Sequence, residues 1–146
     1  MEITTERLKI VPCKEDLLSE DIDVGDHVHY YLHEIEINPS LIGWGVWFVF
    51  LKENDQFIGD IGFKGKPQNG VVEIGYGIQK EAQNNGYATE AVEALVNWAF
   101  NTNKVLKITA ECLRNNNQSI RVLEKLAMMR TDEEDQMIYW ERNLQH

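Results

Sequence analysis

The residues best suited to chemistry form a loop with the features of an anion-binding site. The run Gln83-Asn84-Asn85-Gly86-Tyr87-Ala88-Thr89 joins an apolar strand, residues 71–78, to an amphipathic helix that we expect to begin near Ala88. Gly86 permits a backbone geometry that other residues resist, and the first N–H groups of a helix have no partner within it. Because the helix dipole also favours negative charge there, the sequence predicts a phosphate site that needs no lysine.

The regular elements expected around this loop indicate an α+β fold. Alternating or apolar stretches predict strands at residues 8–12, 44–51, 57–64, 71–78, 107–112 and 137–140. Turn residues between the second, third and fourth of these predict an antiparallel meander. Apolar residues at helical spacing predict helices within residues 28–35, from 88 to 100 and around 120–127. The order β, α, β-β-β, α, β, α, β predicts one mixed, mostly antiparallel sheet flanked by helices.

Length, composition and charge indicate one globular domain, residues 1–146. Hydrophobic residues make up 43% of the 146-residue chain, and a chain of this size buries about 70% of the surface that it exposes when unfolded. The formal charge of −10 argues against binding to duplex nucleic acid, which depends on clustered Lys and Arg. A cationic partner fits this charge better, and the oligomeric state is left open.

The sequence also argues against nucleotide-binding, membrane and secreted classes. Residues 59–66 have five residues between the outer glycines where a P-loop has four, and Gly75-Tyr76-Gly77 lacks the third glycine of a dinucleotide fingerprint. The longest apolar run, residues 44–51, is shorter than the ~20 residues that span a bilayer, and no secretory signal is apparent. Cys13 and Cys112 are isolated thiols without the spacing of a disulfide framework or a metal site. We therefore expect a cytoplasmic protein.

Two sequence blocks resemble the GNAT acyltransferase superfamily. Within residues 73–91, Gln83-Asn84-Asn85-Gly86-Tyr87-Ala88 matches its acetyl-CoA-binding pattern Gln/Arg-x-x-Gly-x-Gly/Ala, and Asn116-Asn117-Gln118-Ser119 is similar to its later Asn-x-x-Ser helix. Thr5-Glu6-Arg7-Leu8 resembles the opening of the branch that contains the ribosomal-protein N-terminal acetyltransferases. The resemblance implies a GNAT-like fold, in which the strands matching residues 71–78 and 107–112 splay apart around the cofactor.

The same resemblance implies acetyl-CoA as the cosubstrate and suggests which residues bind it. Backbone groups near Ile78 would bond the pantetheine arm as an added strand would, and would hold the oxyanion of the reaction. Asn116 would reach the pantetheine from the other side. The pyrophosphate would accept hydrogen bonds from the N–H groups of Gln83, Asn84, Asn85, Gly86, Tyr87, Ala88 and Thr89.

Acetyl transfer to an amine needs a proton acceptor and a proton donor, because alkylamines are mostly protonated at pH 7. Glu73 stands where several relatives have a carboxylate base and is the candidate acceptor, although a surface or ion-paired role weighs about equally. Ser119 is the candidate donor, although capping its helix is the simpler role. The tyrosine that many members carry in that helix is absent, since Val122 and Leu123 stand there, and Ala127-Met128 replaces the usual Gly-Phe.

Residues 15–42 form an acidic zone with eight carboxylates and no Lys or Arg. The resemblance implies an amine as the acceptor of the acetyl group. In the superfamily the segment that matches residues 15–42 forms a wall of the acceptor pocket. The charge favours a small cationic amine or a protein N-terminus, and the simpler alternative is a solvated acidic face. His29 and His33 have a helical spacing that can bind a metal, but without a strong third ligand we interpret them as polar surface or pocket residues and expect no metal.

The sequence therefore predicts an N-acetyltransferase that moves an acetyl group from acetyl-CoA to a primary amine in a ternary complex. The alternative is a catalytically idle acyl-CoA-binding sensor or interaction module. The missing tyrosine favours this alternative, whereas the presence of Glu73 favours the enzyme.

Overall fold

A computed structural model describes residues 1–20 and 22–144 and organises them around one sheet. Three α-helices in these residues flank the sheet: α1 (Asp26–Ile37), α2 (Tyr87–Asn101) and α3 (Asn117–Lys125). The eight strands found in the same residues are β1 (Ile3–Thr4), β2 (Leu8–Pro12), β3 (Val46–Leu51), β4 (Phe57–Phe63), β5 (Val71–Ile78), β6 (Lys107–Leu113), β7 (Met129–Glu134) and β8 (Met137–Asn143). This α+β architecture confirms the predicted fold class.

One parallel pair in an otherwise antiparallel sheet divides it into two parts. Neighbouring strands follow the order β1-β2-β3-β4-β5-β6-β8-β7, and only β5 and β6 run parallel. Residues 71–73 of β5 pair with residues 107–109 of β6, after which β5 continues beside β4 and β6 beside β8. The two strands therefore splay apart beyond residue 73, as the resemblance predicts, and leave a gap in the sheet.

Apolar side chains cover both faces of the sheet. On one face, Leu95 of α2 and Leu123 of α3 are fully buried in a large cluster that includes Trp140 of β8. On the other face, Val28 of α1 is buried in a smaller cluster with Phe48 of β3. Successive strand residues point to opposite faces, so the central strands are apolar on both sides. No helix of the described residues is both long and apolar enough to cross a membrane.

The sequence does not predict the strands β1 and β7, and the reason is their place in the sheet. Both lie at its outer edges. All six side chains of β7 are exposed and three of them are acidic, so no apolar alternation marks the segment. Charged, short edge strands discourage pairing with other chains, but the same properties hide them from a pattern based on burial.

Ala127, which the sequence places in the third helix, lies beyond the end of α3 with φ +60°. The N–H of Ala127 donates to the carbonyl of Glu124 and the N–H of Met128 to that of Leu123, each at 3.1 Å. These two bonds and the left-handed residue form a Schellman C-cap, which ends the helix. Leu123 and Met128 are both buried, as the apolar contact of this motif requires.

Candidate active site

The loop between β5 and α2 presents free N–H groups, as its sequence predicts. Gly86 has φ +79° and is the N-cap of α2, which begins at Tyr87. The first intrahelical bond runs from the N–H of Glu90 to the carbonyl of Gly86. The N–H groups of Tyr87, Ala88 and Thr89 therefore have no acceptor among the described residues. They converge where the helix dipole is positive, which is the chemistry of an anion site.

The side chains of Gln83 and Asn85 form hydrogen bonds with the backbone on the N-terminal side of the loop. The Gln83 amide donates to the carbonyl of Ile78 at 2.9 Å, and the Asn85 amide donates to the carbonyl of Ala82 at 3.1 Å. The N–H of Gln83 donates to the carbonyl of Lys80 at 3.3 Å, so it is not among the free donors. Asn84 adopts φ +66°, a left-handed geometry that asparagine tolerates better than most residues. These contacts support the shape of the loop without a ligand.

Helix α3 supplies the opposite wall of a cleft of about 250 Å³. Its residues Gln118, Arg121, Val122 and Lys125 line this cleft together with the loop and with Ile78. The spacing of three and four residues places them on one helical face. Sequence reasoning missed the two cations, although their helical spacing after the Asn-x-x-Ser block was a usable signal.

An ion-pair network anchors the loop to the N-terminal part of the chain. The Glu90 carboxylate accepts hydrogen bonds from the Thr5 hydroxyl at 2.5 Å, the Arg7 N–H at 2.9 Å and the Arg7 Nε at 2.7 Å. Arg7 Nη1 also donates to the carbonyl of Asn85 at 2.8 Å, and the guanidinium lies over the Tyr87 ring. Burial alone would raise the pKa of Glu90, but the bonds from Thr5 and Arg7 outweigh it and lower that pKa.

Asn116, and not Ser119, caps the start of α3. Asn116 is the N-cap, and its Oδ1 accepts a hydrogen bond from the N–H of Ser119 at 3.1 Å. Ser119 is therefore not the capping residue, because the cap bond requires a side chain three residues earlier. Its half-buried hydroxyl neighbours the hydroxyl of Tyr76 on β5.

A tyrosine that the sequence did not single out lies in the gap between β5 and β6. The Tyr76 hydroxyl, on β5, is buried and has no hydrogen-bond partner of good geometry among the described residues. Burial raises the pKa of Tyr76, the neighbouring Ser119 hydroxyl lowers it, and the Cys112 thiol of β6 raises it again. Residues from β5, β6 and α3 therefore meet around a phenol that remains a proton donor at neutral pH.

Glu73 lies on β5 on the same face as Gly75 and Gly77, as the strand alternation predicts. Its carboxylate is 34% exposed and forms an ion pair of 2.6 Å with Lys64 Nζ. The same ammonium lies 4.0 Å from Glu111 of β6. Lys64 thus bridges β5 and β6 where they begin to splay apart. It also forms an ion pair with Glu73, the carboxylate that the sequence predicts as the base.

A cavity of about 650 Å³ lies between α1 and strands β3 to β5. Gly75 and Gly77 form part of its floor, so it borders the same strand as the gap. The His27 Nε2 and the Asp60 Oδ1, 2.8 Å apart, face it, as does Glu34. Of the acidic zone's carboxylates in the described residues, Glu34 alone lines the cavity.

The other carboxylates of the acidic zone that the structure describes do not line this cavity. Asp21 is outside the described residues. His29 and His33 are exposed on α1 and do not line the cavity. Within residues 1–20 and 22–144, no three His, Cys, Asp or Glu side chains form a group able to hold a metal.

Comparison with known sequences identifies the family. Residues 17–129 match the Acetyltransferase (GNAT) domain. The chain is 32% identical over 119 residues to the uncharacterized N-acetyltransferase YjdG of Bacillus subtilis (strain 168), an alignment that covers 81% of this chain and 71% of that protein. It is 34% identical over 83 residues to the uncharacterized N-acetyltransferase p20 of Bacillus licheniformis, where the alignment spans 56% of this chain and only 47% of that protein.

Solved structures share the fold at lower sequence identity. RimL, a ribosomal L7/L12 alpha-N-protein acetyltransferase in complex with coenzyme A, superposes with a TM-score of 0.80 at 13% identity over 99% of this chain and 98% of its own. The ribosomal-protein-S5-alanine acetyltransferase of Vibrio fischeri gives a TM-score of 0.78 at 15% identity, covering 98% and 96%. The family match, the YjdG alignment and the splayed sheet agree: this chain belongs to the GNAT acetyltransferase family and is an acyltransferase.

Proposed function

We propose that the protein transfers an acetyl group from acetyl-CoA to a primary amine, by direct attack of the amine in a ternary complex. The observation that carries this proposal is the continuity of the gap. The splay of β5 from β6 leads at one end to the free N–H groups at the start of α2 and borders, through Gly75 and Gly77, a cavity on the other face. A thioester held in the gap would therefore be accessible to an acceptor held in the cavity.

The residues around the gap fit acetyl-CoA. The N–H groups of Tyr87, Ala88 and Thr89 would bind the pyrophosphate, and the cations Arg121 and Lys125 would add charge-assisted bonds to its phosphates. Asn84, Asn85 and Gly86 set the backbone path that brings these groups together. The anion site fits because its donors have no acceptor of their own.

The pantetheine arm would use the unpaired edge of β5. Backbone groups near Ile78 would bond it as a neighbouring strand would, and Gln83 keeps that strand end in place through its bond to the Ile78 carbonyl. The Asn116 side chain, already bonded to α3 through its oxygen, has its amide hydrogens left to donate. Bound acetyl-CoA would supply the activated acyl group.

The reaction converts an ammonium and a thioester into an amide and a thiol, and it releases one proton. Glu73 would accept the first proton, directly or through a water, once its ion pair with Lys64 opens. The amine then forms the N–C bond while the C–S bond breaks. Ser119 or its neighbour Tyr76 would supply the proton of the departing thiolate. The second proton that the amine nitrogen loses would restore that hydroxyl, so that one proton in total is released. We place this reaction in the cytoplasm, where the two buried thiols would remain reduced.

The alternative function is an acyl-CoA-binding sensor without turnover. The closed Lys64–Glu73 ion pair and the absence of a tyrosine in α3 favour it. The two functions differ in one measurable property, since a sensor binds acetyl-CoA but releases no thiol with any amine.

The test combines binding with turnover. Saturating acetyl-CoA, at ~100 times its Kd, should stabilise the protein by about 2.7 kcal/mol, seen as a rise in Tm of several degrees. Thiol release with a panel of primary amines then measures activity. Glu73→Gln should lower kcat by about 10²-fold or more and leave the acetyl-CoA-induced Tm rise intact. Glu111→Gln, which also removes a carboxylate near Lys64, is the matched control and should keep kcat within about threefold.

The outcomes distinguish the acetyltransferase from the sensor. No Tm rise with acetyl-CoA would exclude both functions. A Tm rise without thiol release for any amine would support the sensor. Equal effects of Glu73→Gln and Glu111→Gln would remove Glu73 from the proposed role and leave acetyl transfer itself standing.

A further inference from the structure

The cavity between α1 and strands β3 to β5 has two glycines, Gly75 and Gly77, on its floor, and the fold does not require glycine at either position. A Cβ atom added at Gly77 would meet no atom within 4 Å, and one added at Gly75 would meet only Lys64 Cε at 3.8 Å. Neither residue has a φ in the left-handed region. In contrast, a Cβ atom at Gly62 would lie 1.9 Å from the carbonyl oxygen of Gly45, so packing of the strands explains that glycine.

Two glycines on the cavity floor therefore have no role in packing or backbone geometry. Glycine in a strand weakens it, because it adds conformational entropy to the unfolded chain and buries no side chain. Side chains at these two positions would project into the cavity of about 650 Å³, so the glycines keep its floor clear. This volume is in the range of small-molecule sites, which are about 300–1,000 Å³.

The cavity walls are mainly apolar and aromatic. Tyr30 on α1, Trp44 before β3 and Phe63 at the end of β4 line it. The Tyr30 side chain is 68% exposed, an unusual position for a large aromatic residue without a packing role. A ligand with an apolar body would cover this exposed surface.

The charged groups of the cavity leave it an excess of carboxylates. Of the described residues that line the cavity, Lys64 alone is a lysine or arginine, and its positive charge is paired with the carboxylate of Glu73. Asp60 and Glu34 remain on the other walls, with His27 bonded to Asp60. Asp60 of β4 is the strand partner of Gly77 of β5, so the Asp60 side chain lies beside the glycine floor of the cavity. A cation is the ligand charge that this arrangement favours.

We infer that the acceptor is a small primary amine on an apolar body, such as an arylalkyl or branched alkyl group, with its ammonium bound by Asp60 and Glu34. This inference rests on the proposed function, since it names the substrate class of that reaction. The aromatic walls contact the apolar body, and the glycine floor lets the amine nitrogen approach β5. A flexible polyamine lacks the apolar body, and an alanine-initiated peptide presents only a methyl group beside its ammonium.

Four acceptors test the inference by thiol release with saturating acetyl-CoA: 2-phenylethylamine, isopentylamine, putrescine and an alanine-initiated peptide. We expect kcat/KM for the two apolar amines to exceed that for putrescine and the peptide by about 10- to 100-fold, the range that apolar pockets provide. Binding of 2-phenylethylamine in the presence of CoA, measured by calorimetry, should exceed binding of the uncharged 2-phenylethanol by at least about tenfold.

Two variants and a control link the preference to the cavity. Gly77→Val fills the floor and should lower kcat/KM for 2-phenylethylamine by at least about tenfold, and Asp60→Asn should raise its KM by about tenfold. Both should keep the Tm rise given by acetyl-CoA, which also shows that they are folded. Glu36→Gln removes a carboxylate from an exposed position on α1 outside the cavity and should change neither value.

Failure of this inference is distinct from failure of the proposed function. Equal or higher kcat/KM for the peptide or for putrescine, with a normal acetyl-CoA-induced Tm rise, would overturn the substrate class and keep acetyl transfer. An unchanged KM in Asp60→Asn would overturn the ammonium site. No Tm rise with acetyl-CoA would overturn the proposed function and this inference with it.

Discussion

Replacing Ala127 by glycine is expected to stabilise the protein, although the change removes a methyl group. Ala127 ends α3 with φ +60°, where its Cβ atom is close to the following carbonyl. The left-handed conformation costs a non-glycine residue about 1–2 kcal/mol. Glycine avoids this cost, but the unfolded chain then gains freedom equivalent to about 0.5–1 kcal/mol. The net gain is about 0.5–1 kcal/mol, or a rise in Tm of about 2–4 °C for a chain of this size.

A matched control makes the sign of this effect informative. Ala94→Gly is the same chemical change inside α2, where glycine is about 1 kcal/mol less favourable than alanine. Calorimetry or denaturant unfolding should therefore show opposite shifts for the two variants. A fall in Tm for Ala127→Gly, parallel to the control, would refute the assignment of a strained Schellman C-cap to this residue. The retained bonds from residues 127 and 128 to α3 predict unchanged helix content by circular dichroism.

Three further variants address the loop and the gap. Glu90→Gln should lower stability by about 1–2 kcal/mol at pH 7, an estimate reduced for the solvent access of its partner Arg7. Because the pKa of Glu90 is lowered in the folded state, this difference should be constant above the ordinary glutamate pKa and shrink as the pH falls through the lowered value. Arg121→Ala with Lys125→Ala should weaken acetyl-CoA binding by about tenfold at low salt and less at high salt, as calorimetry would measure. Tyr76→Phe should lower kcat by about 10- to 100-fold and keep acetyl-CoA affinity, as thiol release and calorimetry together would show.

Each of these results has a contrary outcome, and the first two have a control variant. Glu81→Gln removes an exposed carboxylate from the turn before the loop, and an equal loss of stability there would contradict the anchor role of Glu90. Lys104→Ala removes an exposed cation remote from the cleft, so an equal loss of affinity would indicate general charge effects. An unchanged kcat in Tyr76→Phe would leave Ser119 as the proton donor.

Local sequence patterns were sufficient for the central strands and for the loop between β5 and α2. The strand at residues 71–78 has the predicted bounds, and the φ of Gly86 is one that other residues resist, as its sequence predicts, because each depends on neighbouring residues alone. The apolar pattern of residues 44–51 and 57–64 likewise identified β3 and β4 to within two residues. Burial on both faces gives such strands a strong signal.

Contacts between distant parts of the chain were beyond these patterns. Arg7 and Glu90 are 83 residues apart and carry no marker of their pairing. Asp60 reaches the cavity because β4 presents it there, although the acidic zone of residues 15–42 drew attention to other carboxylates. Tyr76 falls in an apolar strand where a tyrosine is ordinary, and its free hydroxyl becomes visible only when β6 and α3 surround it.

The short pairing of β5 with β6 also has a consequence for the solubility of the protein without a bound cofactor. In the described chain, residues 74–78 have strand partners on the β4 side only. An unpaired strand edge in the interior of a sheet is a template to which another extended chain can add. Bound cofactor would occupy that edge and make its hydrogen bonds internal. Acetyl-CoA or its product coenzyme A would then also keep the protein soluble, and preparations that retain either one would aggregate more slowly than those from which both have been removed.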